Sequence, residues 1–195
     1  MGTMAHRARL LSKLVLVGYL LSCSVPDIST LNVQNEKAIS TYQKGGIRYV
    51  NDSVFTGILI KMAPNERDTI SYKSYLKGLK EGKWWVKYPN LEYSEVRYFK
   101  KGNKEGLYQG WWPDGKLKFE YHFKNDEYQG AYKEWNPDGR LVKEMHYEKG
   151  HEKGSQKVWY DNGKVKSNYV VKKGRRYGLL GTKNCVTTSD SLLLD

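Results

Sequence analysis

Four histidines, two cysteines and a regular series of acidic residues are the groups in this 195-residue chain with the chemistry to react. His122 and His146 stand 24 positions apart. On equivalent strands two ladder steps apart they would be separated by ~9–10 Å, too far for one metal ion to join them directly. His151 falls in a glycine-rich connection. Asp114, Asp138 and Asn162 each precede a glycine. There a short polar side chain shapes a turn by bonding its own backbone, a simpler role than a row of catalytic carboxylates. Cys185 follows Asn184 with no base beside it, and no H-E-x-x-H, phosphate loop or nucleophile elbow occurs. The expectation is a chain with no catalytic residue, no metal ligand and no cofactor.

A stronger signal comes from spacing. Gly82, Gly106, Gly130, Gly154 and Gly178 recur every 24 residues, as do Gly115, Gly139 and Gly163, and both series read as structural turn positions. Trp111, Trp135 and Trp159 keep the same interval, and Lys116, Arg140 and Lys164 follow the turn glycines. Rows of rings beside rows of positive charge offer apolar contact flanked by electrostatic steering, so these six residues are the candidate partner-binding set. The competing reading makes the rings scaffold and the lysines a guard against edge pairing.

The elements that must position these residues follow from the repeat. W-W-P-D-G-K (Trp111 to Lys116) and W-N-P-D-G-R (Trp135 to Arg140) are turn sequences, with proline at the first central position and glycine at the left-handed one. After the turn, Leu117, Phe119, Tyr121 and Phe123 alternate with Lys118, Glu120, His122 and Lys124, the period of a strand with one apolar face. Lys118 is expected to project to solvent. Strand alternation puts Trp111, Trp135 and Trp159 on the face opposite Tyr108 and Phe119. Each unit is a β-hairpin of about 24 residues, and the fold class is all-β: an extended, twisted antiparallel sheet of about five stacked hairpins. The unit spanning Lys83 to Phe99 has P-N-L-E where its neighbours have P-D-G-K, which predicts a different turn geometry.

The first residues read differently. Arg7, Arg9 and Lys13 form a basic head, Leu14 to Leu21 an apolar run too short to span a bilayer, and Cys23 follows Leu20-Leu21-Ser22. This layout resembles a bacterial lipoprotein signal, in which the cysteine is lipidated and begins the mature chain. The implied organisation is a signal peptide over 1–22, a lipidated tether over 23–40, the hairpin repeats over 41–186 and a tail over 187–195. Two cysteines form no disulfide framework.

The repeat itself resembles the MORN repeat variant proteins of bacteria, many of them described as antitoxin-like. Their pattern is approximately G-x-(Y/W)-x-x-(W/Y)-(Y/W)-x-(D/N)-G-K-(L/V), followed by a charged strand ending in an aromatic residue, and it covers about residues 45 to 182. The resemblance implies a non-catalytic repeat protein. With the lipoprotein signal, it leads to an envelope lipoprotein, outer-membrane by preference, that acts as a protein-interaction or scaffolding subunit of a membrane-associated complex. The alternative is an immunity or antitoxin-like protein that neutralises a toxin by binding. The expected partners are an envelope protein or protein complex, and the membrane through the N-terminal lipid. The formal charge of +12 suits an acidic protein or anionic headgroups and glycans. Export argues against nucleic acid, and a small-molecule substrate is not expected.

Overall fold

The computed structural model describes residues 32–181, so Cys23, Cys185, the basic head and the tail lie outside the described residues. Five hairpins follow one another along a single sheet. They are Gly57–Met62 with Thr69–Leu76, Gly82–Lys87 with Tyr93–Lys100, Gly106–Trp111 with Leu117–Lys124, Glu127–Trp135 with Leu141–Glu148, and Gly154–Trp159 with Val165–Lys172. Each pairs antiparallel with the next, and the strand Arg175–Leu179 closes the series. The protein is all-β, with one short 3-10 turn at Glu36–Ala38 among the described residues.

The two ends of each hairpin turn differently. At one end the pattern is the same from the second hairpin to the fifth. In the third, Trp112 N–H donates to Lys116 O at 2.8 Å and Gly115 N–H to Trp112 O at 2.9 Å, with Gly115 at φ 82°. The expected difference at P-N-L-E does not occur. Tyr88 N–H donates to Glu92 O at 2.8 Å and Leu91 N–H to Tyr88 O at 2.9 Å, so Leu91 stands at the glycine position with φ 69°. Flanking geometry and the neighbouring hairpin impose the turn, and leucine accepts a left-handed backbone that costs it roughly 1–2 kcal/mol. Its side chain is 39% exposed and gains little from packing. Leu91→Gly is therefore expected to stabilise the fold by roughly 0.5–1 kcal/mol after the entropy of glycine is charged against it. A rise in the urea midpoint checks this, and a fall would contradict it.

At the other end the hairpins meet through two-residue turns with both residues left-handed: Lys77–Gly78, Lys101–Gly102, Asn125–Asp126, Lys149–Gly150 and Lys173–Gly174. This is the mirror-type turn whose twist matches that of paired strands. In the units between, the next glycine of the 24-residue series follows with φ 68° at Gly82, 75° at Gly106, 81° at Gly130 and 73° at Gly154. These glycines sit where the ladder slips register rather than in the turn. Tyr147 pairs with Glu152 on one side of Gly154, and Glu144 with Lys157 on the other.

The folded body begins before position 41. Val33–Asn35 forms a parallel strand on Gly57–Met62, and Ile39 packs against the core, so this stretch is not tether. Gly57 permits the approach, since a Cβ there would lie 2.4 Å from Asn32 O. The stretch from Tyr49 to Gly57 is divided between two sheets. Thr41–Lys44, Ile47–Val50 and Ser53–Val54 make a separate three-stranded sheet, while Gly57 opens the main one. The small sheet lies over the first two hairpins, where Val50, Phe55, Leu59, Tyr75, Trp84 and Phe99 form the buried core.

Candidate functional site

Register separates the side chains into two faces. One carries two ring clusters, Tyr75, Trp84 and Phe99, then Tyr108, Phe119, Tyr121, Phe123 and Tyr132, with contacting centroids 4.1–6.3 Å apart and the Arg97 guanidinium over both Phe99 and Tyr108. Gly110 makes room for this face, because a Cβ there would stand 2.3 Å from the Phe119 ring. The other face carries Tyr72, Trp85, Tyr93 and Trp111 in ring contact. Trp111, Trp135 and Trp159 pair with Leu117, Leu141 and Val165 at the same register shift in successive hairpins. All three are partly buried. Trp111 meets Tyr93 at 6.2 Å, whereas Trp135 and Trp159 have no ring partner among the described residues.

The basic residues beside the turns reach along the sheet. Lys116 Nζ bonds Asp114 at 2.9 Å and donates to Pro137 O at 3.1 Å, and Arg140 Nη1 donates to Asp161 O at 3.2 Å. Asn90 Nδ2 does the same to Pro113 O at 2.8 Å. Lys116 and Arg140, 24 residues apart, thus clip each turn to the next, Asn90 does so from two positions earlier in its unit, and Lys164 is the exposed last member of the Lys116 column. Tyr88 and Trp112 add a second row of clips, donating to the carbonyls of Trp111 at 3.0 Å and Trp135 at 3.3 Å. Lys118 does not project to solvent as its parity suggested. Its ammonium lies 4.5 Å from the centre of the Trp112 ring, where the negative ring face attracts it.

The opposite edge is clipped by acceptors that the sequence reading did not single out. Glu81 receives the Lys101 N–H at 2.8 Å, Glu105 that of Asn125 at 3.0 Å and Gln129 that of Lys149 at 3.1 Å. Their own 24-residue spacing was the available signal. His122 and His146 likewise repeat one arrangement, with Nδ1 3.3 Å from Ala131 O and 3.0 Å from Ser155 O on the neighbouring strand. No group of three or more His, Cys, Asp and Glu with metal-binding geometry occurs among the described residues.

Three carboxylates on the aromatic face gather phenols and bases. Glu95 accepts Tyr108 Oη at 2.7 Å and Arg97 Nη2 at 3.0 Å. Glu134 accepts Tyr132 Oη at 2.5 Å, Tyr121 Oη at 3.0 Å and Lys143 Nζ at 3.3 Å. Glu152 accepts Tyr169 Oη at 3.1 Å and Arg176 Nε at 3.0 Å. Burial opposes ionisation of Glu134, but the Tyr132 bond, the Lys143 charge and the Tyr121 bond together outweigh it and hold its pKa below the usual value. Burial, then the carboxylate partner, pushes the Tyr108 and Tyr132 phenols upward, and burial leads the rise at Tyr121. A phenol driven up beside a carboxylate driven down leaves both in their resting forms at neutral pH. The Glu134 cluster in this way holds its side chains in place by charge-assisted hydrogen bonds.

The fold and its rows of clips define a β-hairpin repeat protein. Residues 104–125, 128–149 and 152–172 match the MORN repeat variant model as three consecutive units. Repeats of this kind are protein- and membrane-interaction modules, which accords with a binding role. The hairpin over Gly82–Lys100 keeps the same turn outside the matched span. A search of curated proteins finds no match. Among solved structures, the chain is similar to a crystal structure of a TarM point mutant from S. aureus in complex with fondaparinux, α-GlcNAc-glycerol and UDP. The identity is 15%, the TM-score is 0.25, and 73% of this chain aligns with 22% of that one. The chain therefore spans about a fifth of that protein's length.

Proposed function

We propose that this chain is a non-enzymatic lipoprotein of the bacterial cell envelope that holds a protein partner within a membrane-associated complex. The observation that carries the binding part is the clipped ladder. Successive turns are tied by Lys116, Arg140 and Asn90, which supports presentation of Trp135 and Trp159, equivalent in register, at a fixed spacing. Two ladder steps of ~4.8 Å set that spacing. Rigid presentation of large rings lowers the ordering cost of association. Because Lys116 and Arg140 bond the adjacent turn, the contact to a partner rests on the tryptophans, with Lys164 as the cation of the set that has no side-chain partner among the described residues.

The envelope part rests on the sequence from Arg7 to Cys23. Acyl chains on Cys23 would hold the protein durably, since each buried methylene contributes ~0.8 kcal/mol. The mass spectrum of the native protein is expected to show lipid on an N-terminal Cys23. An unmodified terminus upstream of Ser22 would overturn the anchoring. A second reading, neutralisation of a toxin by binding, is favoured by the resemblance to antitoxin-like repeat proteins. Gentle extraction separates the two: a large envelope complex supports scaffolding, and a single toxic effector supports neutralisation.

A further inference from the structure

The two ends of the main sheet are finished differently. At the start, the short parallel strand Val33–Asn35 covers Gly57–Met62, and the three-stranded sheet packs close by. At the far end Arg175–Leu179 pairs only with Val165–Lys172, and among the described residues no strand covers its outer edge. All five of its residues are exposed. Tyr177, Leu179 and the following Leu180 are 54%, 47% and 57% exposed, an apolar run at an open strand edge.

This strand also departs from the repeat in a way that suits pairing. In the preceding units the ladder slips at the repeat glycine, but from Lys172↔Arg175 to Asn168↔Leu179 the register is continuous through Gly178. Residues flanking a two-residue turn exchange both backbone bonds, and the alternation then turns every second residue outward. Arg175, Tyr177 and Leu179 thus bond inward, while the N–H and C=O groups of Arg176 and Gly178 face out as a template. The surroundings are strongly basic. Residues 149–181 carry nine Lys and Arg against two Asp and Glu, and Lys172, Lys173 and Arg175 stand exposed beside the strand.

We infer that the outer edge of Arg175–Leu179 takes up an extended acidic peptide segment of a partner protein as an added strand. Alternate apolar residues of that segment would lie beside Tyr177 and Leu179, and its carboxylates beside Lys172, Lys173 and Arg175. Backbone bonds supply affinity in this mode and the side chains select the sequence. The inference rests on reading the chain as a binding protein. It concerns a different surface from the tryptophan row, so either can fail without the other.

The test uses the full chain and a capped synthetic peptide that alternates valine with threonine and ends in glutamates. Its counterpart ends in lysines. Amide hydrogen exchange at Arg176 and Gly178 is expected to slow at least tenfold on addition of the glutamate peptide and not of the lysine peptide. Lys173→Glu combined with Arg175→Glu is expected to abolish the effect while leaving the circular dichroism unchanged. Four results would overturn the inference. Both peptides could protect equally. Neither could protect, while anionic vesicles do. The two amides could already be protected in the free chain independently of dilution, which assigns the edge to the chain's own residues beyond 181. Protection could vanish on dilution, which assigns it to a second copy.

Discussion

Trp84→Ala is expected to destabilise the protein by about 3–5 kcal/mol, the range for deleting a large buried aromatic side chain. Trp84 is 6% exposed, with ring centroids 5.0 Å from Tyr75 and 4.7 Å from Phe99, and its Nε1–H donates to Ser74 O at 2.9 Å. Removing it opens a cavity where the first two hairpins meet and leaves the Ser74 carbonyl without that donor. Trp135→Ala should cost about 1 kcal/mol or less, since that ring is only partly buried and has no ring partner among the described residues. With m of about 1–3 kcal/mol/M, the first variant loses at least roughly 1 M in urea midpoint and the second far less. Equal midpoints would show that the tryptophan row is as much core as Trp84.

Gly110→Ala carries the second large expectation. An added Cβ would stand 2.3 and 2.4 Å from two carbons of the Phe119 ring. That ring has little freedom to retreat, being stacked on Tyr121 at 4.6 Å and set edgewise to Tyr108 at 4.8 Å. Forcing one extra carbon into such a contact costs about 1–3 kcal/mol, and the strain should spread to the Tyr108–Glu95 bond. A near-ultraviolet circular dichroism change with a lowered urea midpoint checks both. A variant indistinguishable from the parent would show that the aromatic face is loosely packed.

Periodicity made most of the ladder legible and also set the limits of what could be read. The columns Gly115, Gly139 and Gly163 mark turns that the structure contains, and the strand from Leu117 to Lys124 runs where its alternation begins and ends. The turn at Leu91 was misread because a residue type was taken to decide a geometry that the neighbouring hairpins impose. The two-residue turns were harder to recognise. Four of them open with lysine, a residue with no left-handed preference, and Asp126 interrupts the column of Gly78, Gly102, Gly150 and Gly174. The carboxylate clusters were hidden for a related reason. Glu134 shares its column with Gly110 and Val158, so comparison between repeats reveals nothing there. Its partners converge only when adjacent strands are paired. The three-stranded sheet over the core has no repeat to announce it.

The candidate set divides in the same way. Trp111, Trp135 and Trp159 lie in equivalent registers, but identical spacing did not give them identical surroundings, since among the described residues Trp111 has a ring beside it and the other two have none. Lys116 and Arg140 are alike in sequence and in structure, and both serve the joint between turns. Long cations at a repeated turn reach the next carbonyl along the stack, a contact that exists only once the units are stacked.

Site-directed photocrosslinking in the native host tests the central claim most directly. A photoreactive side chain would be placed singly at Trp135, at Trp159 and at Lys124, which is exposed at the far end of its strand. The predicted result is the same discrete protein adduct from Trp135 and Trp159, recovered with the membrane fraction and absent from Lys124. An adduct from Lys124 with none from the two tryptophan positions would contradict the assignment of the partner to the tryptophan face.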